Sequence, residues 1–129
     1  MLIVNPFATA TSPAGRDALV HTLSAHFHLD VEHTTHRGHA GELAQRALAE
    51  EFDVVIVHGG DGSVNEAANG LLDPPNASDP TRRRPALAVI PGGSSDAGHV
   101  GAVAASILRN GVFIHKVISR HQPPGKLRV

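Results

Sequence analysis

The chain has 129 residues, with 11 basic and 12 acidic side chains and no cysteine. Its length fits one domain, and its balanced charge argues against a nucleic-acid partner held by electrostatic attraction. The lack of cysteine excludes disulfides, thiolate zinc sites and a cysteine nucleophile. No apolar run approaches the roughly 20 residues of a membrane span, and MLIV is too short for a signal-peptide core, so we expect a cytoplasmic protein.

Strand-like and helix-like segments alternate along the chain. We predict strands at residues 2–4, 29–33, 53–57 and 86–90, and helices from the Ser12-Pro13 cap, at 38–51 and at 63–72. After the proline-rich loop 73–85 and the fourth strand, we predict a fourth helix around 100–108, a fifth strand at 112–118 and a loose tail from 121. This alternation predicts an α/β fold, an open three-layer sandwich with a mainly parallel sheet.

The most informative segment is VVIVHGGDGSVNEAANGLL, residues 54–72, where a buried strand leads into glycines and then a helix. Such a turn places backbone amides and a helix N-terminus at one point, which favours phosphate. Gly59, Gly60 and Gly62 have no β-carbon, so a phosphate chain can lie directly on the backbone. A carboxylate there is unfavourable unless it serves a metal ion or a reacting proton, which predicts such a role for Asp61; the alternative is a helix cap.

Polar or glycine-rich turns follow all of the first four predicted strands, at residues 5–6, 34–35, 59–62 and 91–95. Ligands of open parallel sheets bind at the carboxyl ends of the strands, so we expect these turns to meet at one edge. Asn65 and Glu66 follow within one helical turn, and their side chains can point toward the same place.

These four segments together resemble the diacylglycerol kinase catalytic domain. The motifs NPFAT, THRGHA, GGDGSVNEAANGLL and IPGGSS stand in the family's order, and the resemblance covers residues 2–95. It implies the nucleotide-binding half of a lipid kinase, distantly related to NAD kinases and phosphofructokinases. Such a kinase binds ATP with Mg²⁺ and transfers the γ-phosphoryl group to a lipid hydroxyl of the diacylglycerol or sphingoid type.

The resemblance also implies site residues within each motif or directly before it. Asn5 and the turn to Thr9 would lie near the nucleotide, and Thr34 would contact ATP. Asp61 would act in catalysis, through the metal or through the acceptor hydroxyl. The remaining nucleotide-binding positions would hold the phosphates and the ribose: Gly59, Gly60, Gly62, Ser63, Asn65, Glu66, Gly93 and Ser94.

Two departures from the family pattern affect these expectations. Asp96 stands where the fourth motif usually has asparagine, and the Phe-Ala-Arg run that follows it in the family is missing. The family also has a β-rich domain that helps to build the lipid site. On this interpretation residues 1–120 are the nucleotide-binding domain, 121–129 a tail, and the lipid-site domain is absent. We then expect ATP binding with little lipid phosphorylation, and self-association through exposed sheet edges.

Two other functions stay open: a catalytically inactive nucleotide-binding remnant, and a kinase of a soluble acceptor related to NAD kinases. The three arginines at 82–84 are interpreted as a solvated loop, with peripheral contact to the inner membrane surface as the alternative. The histidines at 33, 36 and 39 suggest a metal site only weakly, because His33 falls in a predicted strand. For His58, packing is favoured over a place in the nucleotide pocket.

Overall fold

The computed structural model describes residues 1–8, 12–72, 83–91 and 129. Strands and helices alternate in the order β1 (Leu2–Val4), α1 (Pro13–Ser24), β2 (Val31–His33), α2 (His39–Ala49), β3 (Val54–Gly59), α3 (Asp61–Leu72) and β4 (Ala86–Pro91). None of the helices in these ranges is long and apolar enough to cross a bilayer. The predicted fourth helix and fifth strand lie outside the described residues.

The four strands form one sheet in the order β2-β1-β3-β4, and all neighbours are parallel. Val4 at the end of β1 pairs with His33 on one side and His58 on the other. The chain passes from β1 to β2 on one side and then returns across β1 to β3. This reversal leaves a crevice between the carboxyl ends of β1 and β3, where open α/β sheets bind ligands.

Alternating strand residues build two separate cores, one on each face of the sheet. The core under α1 consists of Leu2, Val4, Leu19, Leu23, Phe27, Val54, Ile56, Ile90 and Val129. The core under α2 and α3 consists of Met1, Ile3, Ala40, Leu43, Ala44, Ala47, Leu48, Phe52, Val55, Val57, Ala67 and Leu71. Helices on both faces of a parallel sheet confirm the predicted three-layer α/β fold.

The predicted cap of α1 is confirmed, because the Ser12 hydroxyl accepts a hydrogen bond from the Gly15 N–H at 3.1 Å. The predicted bounds of two later elements are wrong at their ends. Helix α2 begins at His39 and ends at Ala49, with Gly38 before it in the left-handed region at φ 89°. Strand β2 begins at Val31 because its ladder with β1 starts only there, opposite Leu2.

The largest boundary correction falls in the glycine segment. Strand β3 continues through His58 and Gly59, because these residues pair with Ile90 and Pro91 of β4. Helix α3 then begins at Asp61, two residues before the predicted start. The turn is therefore reduced to Gly60, and the helix N-terminus lies immediately beyond the edge of the sheet.

The last residue, Val129, is buried in the core under α1. Its N–H donates to the His28 carbonyl at 2.9 Å, and its carbonyl accepts the Asp30 N–H at 2.9 Å. The expectation of a loose tail is therefore wrong at this position.

Helices α2 and α3 approach closely at Gly41 and Gly70. A β-carbon on Gly70 would lie 2.3 Å from the Gly41 carbonyl oxygen, and one on Gly41 would lie 3.1 Å from the Glu66 carbonyl oxygen. Because these neighbours are backbone atoms, they cannot yield by a change of rotamer. The contact fixes the middle and last turns of α3 against the first turn of α2.

We expect Gly70→Ala to lower the free energy of unfolding by about 1–3 kcal/mol, since the added methyl group overpacks a contact between two backbones. Urea denaturation measures this change. Gly62→Ala in the same helix is the matched control, because no atom lies within 4 Å of its β-carbon position. The control should be at least as stable as the parent. Equal stability of the two variants would contradict the close approach.

Candidate functional site

The end of β1 and the start of α3 are joined through a side-chain hydrogen bond. The Asn5 N–H donates to the His58 carbonyl of β3 at 2.9 Å, and the Asn5 side-chain amide donates to the Ser63 hydroxyl oxygen at 3.0 Å. A β-carbon on Gly59 would lie 3.2 Å from the Asn5 Cβ, the Ser63 Cβ and the Ser63 Oγ. The absence of a side chain at Gly59 therefore lets the two polar residues approach.

The start of α3 exposes backbone to open space. The Gly60 carbonyl accepts the Val64 N–H at 3.2 Å, so the N–H groups of the residues between them are those left without partners inside the helix. Neither Gly60 nor Gly62 has a left-handed φ, and no heavy atom lies within 4 Å of either β-carbon position. The fold alone would accept alanine at both positions. The space beside the two glycines is therefore not filled by the protein and has room for a ligand. Asp61 between them is exposed.

The turn after β2 is attached to β1 through Thr34. Its N–H donates to the Val4 carbonyl at 2.9 Å, and the residue is buried. Thr34 therefore stands beside Asn5 at the same edge of the sheet, as the predicted convergence of the turns requires.

A histidine network fixes the rest of this turn. The Thr35 N–H donates to His39 Nδ1 at 3.0 Å, and the Thr35 hydroxyl lies 3.0 Å from His36 Nδ1 and 3.1 Å from His39 Nδ1. The two imidazole rings stack with their centroids 4.6 Å apart. His36 Nε2 lies 3.3 Å from a carboxylate oxygen of Glu42. These contacts connect the loop between β2 and α2 to the first turn of α2.

The three turns enclose a cavity of about 300 Å³, which reaches the lower end of the range for small-molecule sites. It has a cationic, an acidic and an aromatic side chain in its walls. Its lining comes from all three turns and consists of Asn5, Phe7, Thr34, Thr35, His36, Arg37, Gly62, Ser63 and Glu66.

The cavity brings together five of the residues proposed from the sequence: Asn5, Thr34, Gly62, Ser63 and Glu66. Gly60 and Asp61 adjoin it at the start of α3, and Asn65 is exposed on the same helix without lining it. Thr9, Gly93 and Ser94 lie outside the described residues. Four further lining residues stand in the motifs that the sequence interpretation placed at this edge, although it gave none of them a role of its own: Phe7, Thr35, His36 and Arg37.

The histidine spacing does not form a metal site in the part of the chain that the structure describes, where no group of three or more metal-ligating side chains converges. His36 and His39 stack and bond to Thr35, while His33 pairs with Val4 in the sheet. Asp61 presents one exposed carboxylate at the start of α3, and Mg²⁺ is often held by one or two carboxylates together with substrate phosphates.

His58 packs against the sheet and does not line the cavity. It is buried on the α1 face, and its Nδ1–H donates to the Ile90 carbonyl at 3.2 Å. Burial lowers the pKa of His58, the hydrogen bond to Ile90 opposes this shift, and the positive charge of Arg16 adds to it. The packing interpretation of His58 fits these contacts.

Two of the three arginines at 82–84 bond to groups of the protein itself. Arg83 Nη2 lies 3.0 Å from Asp53 Oδ1, just before β3. Arg84 Nη1 donates to the carbonyls of Leu71 and Leu72 at 3.1 and 3.2 Å and so caps the C-terminus of α3. Both contacts lie at the amino edge of the sheet, away from the cavity.

Comparison with known proteins identifies one family for this chain. The family model of the diacylglycerol kinase catalytic domain matches residues 1–115. The chain is also similar to a diacylglycerol kinase of Staphylococcus aureus strain JH9, with 40% identity over 78 residues. This match covers 60% of the chain and 22% of the relative, so the chain spans about a fifth of that protein.

Solved structures lead to the same family. The structure of a diacylglycerol kinase from Bacillus anthracis str. Sterne is 34% identical, with a TM-score of 0.65, and the match covers 81% of this chain and 41% of that one. A second structure from the same organism is 32% identical with a TM-score of 0.66, and the match covers 81% and 40% of the two chains.

We expect the stability of the protein to fall in mild acid because of His58. In the unfolded chain the pKa of this histidine is about 6.5, whereas its pKa in the folded protein is lower. Neutral His58 therefore supports the fold above about pH 6.5, and this contribution is lost as the pH falls below that value, by up to about 1.4 kcal/mol per pH unit.

His58→Asn isolates the effect, since an asparagine amide keeps a donor for the Ile90 carbonyl but does not titrate. Urea unfolding at pH 7.5 and 5.5 should show a smaller loss of stability for the variant than for the parent. Equal losses would show that burial of His58 does not set the acid sensitivity.

Proposed function

Because the chain belongs to the diacylglycerol kinase catalytic domain family, we propose that it binds ATP as part of a lipid kinase. The kinase would transfer the γ-phosphoryl group to a hydroxyl of a diacylglycerol or sphingoid lipid. The main support is the exposed backbone at the start of α3, which opens onto a cavity shared with the turns after β1 and β2. With a lipid as acceptor, the protein would act from the cytoplasm at the inner membrane surface.

The phosphates of ATP would lie over the N-terminus of α3. The free N–H groups and the helix dipole favour negative charge there, and no β-carbon blocks the approach at Gly60 or Gly62. The Ser63 hydroxyl accepts a hydrogen bond from Asn5, so its own proton can be donated to a phosphate oxygen. Arg37 adds a positive charge to the wall of the same cavity.

Glu66 and Thr34 would contact the nucleoside part of ATP. A carboxylate repels phosphate but accepts hydrogen bonds from hydroxyl groups, so Glu66 is suited to the ribose. It lies about one helical turn after Gly62, on the same side of α3, and both residues line the cavity. Thr34 faces them from the end of β2. By resemblance, Thr9, Gly93 and Ser94 would complete the nucleotide site.

Asp61 would be the catalytic carboxylate. Mg²⁺, when bound with ATP, would neutralise part of the phosphate charge and help to position the γ-phosphoryl group. Asp61 either holds this ion or accepts the proton of the acceptor hydroxyl, and it stands between the two open glycines. Phosphoryl transfer depends mainly on positioning and charge compensation; the edge of parallel strands would position the ligand, and the N-terminus of α3 and Arg37 would compensate its charge.

We expect Gly62→Val to abolish Mg·ATP binding, because the valine side chain would occupy the space beside the exposed backbone. Isothermal calorimetry measures the affinity, and thermal unfolding should show a retained fold. Asn69→Val is the matched control, since it adds the same side chain to an exposed position about two turns further along α3. Equal ATP affinity in Gly62→Val and the parent would mean that the glycines serve only the turn.

Asp61→Asn should separate the two roles proposed for the carboxylate. If Asp61 holds the metal, the gain in ATP affinity on adding Mg²⁺ shrinks in the variant. If it takes the hydroxyl proton, this gain persists, and the weak transfer from labelled ATP to diacylglycerol in mixed micelles that we expect of the parent is lost in the variant. A variant that keeps both the gain and the transfer rate would contradict a catalytic role for Asp61.

A further inference from the structure

Phe7 combines exposure with a place in the wall of the cavity. Among the described residues, the large apolar side chains that are exposed are Phe7 at 77%, Leu72 at 67% and Val89 at 40%. Of these three, Phe7 alone lines the cavity. An aromatic ring beside a cavity with polar walls can offer its face to a planar ligand group.

The backbone of Phe7 is held by the same asparagine that contacts α3. The Phe7 N–H donates to Asn5 Oδ1 at 2.9 Å, and the Ala8 N–H donates to the Asn5 carbonyl at 3.3 Å. The nitrogen of the same side-chain amide, Asn5 Nδ2, donates to the Ser63 hydroxyl oxygen. One side chain therefore sets the position of the Phe7 backbone relative to the start of α3, so little order has to be gained when a ligand binds.

The strand order separates the two ends of the site. The N-terminus of α3 follows β3, whereas Phe7 follows β1 and residues 34–37 follow β2. Strands are about 4.8 Å apart, so the edge from β3 to β2 is about 10 Å long. A nucleotide with its phosphates over α3 would therefore extend past Phe7, one strand away, toward the turn after β2.

We propose that the nucleobase stacks on the ring of Phe7, and that this contact favours purine over pyrimidine nucleotides. The inference rests on the proposed nucleotide function and adds a specificity residue to it. Every base has a π-face, but the two fused rings of a purine overlap more of the phenyl ring than the single ring of a pyrimidine.

Calorimetry with three ligands tests the proposal on the full chain: Mg·ATP, Mg·CTP and Mg·tripolyphosphate, which has no base. Phe7→Ala should weaken ATP binding by about tenfold and CTP binding by less, and should leave tripolyphosphate binding unchanged. Leu72→Ala, which removes an exposed apolar side chain at the far end of α3, is the matched control and should leave all three affinities unchanged.

Phe7→Trp gives a direct signal, because the natural chain has no tryptophan. The variant should keep its affinity for ATP, and stacking should quench its fluorescence when ATP is added but not when tripolyphosphate is added. An ATP affinity retained in Phe7→Trp and lost in Phe7→Ala would identify the aromatic face as the contact.

Several results would overturn the proposal. Equal ATP affinity in Phe7→Ala and the parent, or equal weakening of ATP and CTP, would exclude purine stacking while leaving nucleotide binding intact. Weaker tripolyphosphate binding in Phe7→Ala would show that the substitution disturbs the phosphate end of the site. Unchanged ATP affinity with weaker binding to vesicles of diacylglycerol and phosphatidylglycerol would assign Phe7 to a lipid surface. A parent chain that binds neither ATP nor tripolyphosphate would instead refute the underlying nucleotide function.

Discussion

The missing side chain at Gly59 is the constraint on which the site depends. Any β-carbon there would lie 3.2 Å from atoms of both Asn5 and Ser63, which is too close for an ordinary contact. A side chain at this position would push Asn5 and Ser63 apart by a few tenths of an ångström and would weaken the hydrogen bond between them. The glycine therefore acts first on packing, and through packing on the shape of the cavity.

A second close contact holds the later turns of α3, on the same side of the helix as Ser63. Gly41 and Gly70 let α2 and α3 touch through their backbones, and α2 begins directly after the turn that carries Thr34. The cavity is thus enclosed by segments whose relative positions are set by glycine contacts and parallel strands. A rigid edge of this kind suits phosphoryl transfer, where positioning and fixed charge do most of the work.

The layered fold was predictable because buried apolar runs and turn residues alternate along the whole chain. The end of β3 could not be predicted in the same way. His58 and Gly59 are followed by two more turn residues in the sequence, and they belong to the strand only because they pair with Ile90 and Pro91 of β4. The glycine motif predicted the wall of the cavity that the start of α3 forms. Its other lining residues, His36 and Arg37, depend on a loop conformation fixed by the contact of the Thr35 N–H with His39, which no spacing rule reveals.

The central claim is that a nucleotide binds across the carboxyl ends of the strands. Amide chemical shifts of the ¹⁵N-labelled chain, followed during titration with Mg·ATP, test it most directly. We predict that the shifts are concentrated at Phe7, Thr35, Arg37, Gly62 and Ser63, and that residues at the amino edge such as Asp53 and Arg84 are unaffected. Shifts concentrated at the amino edge, or spread evenly over both edges, would contradict it.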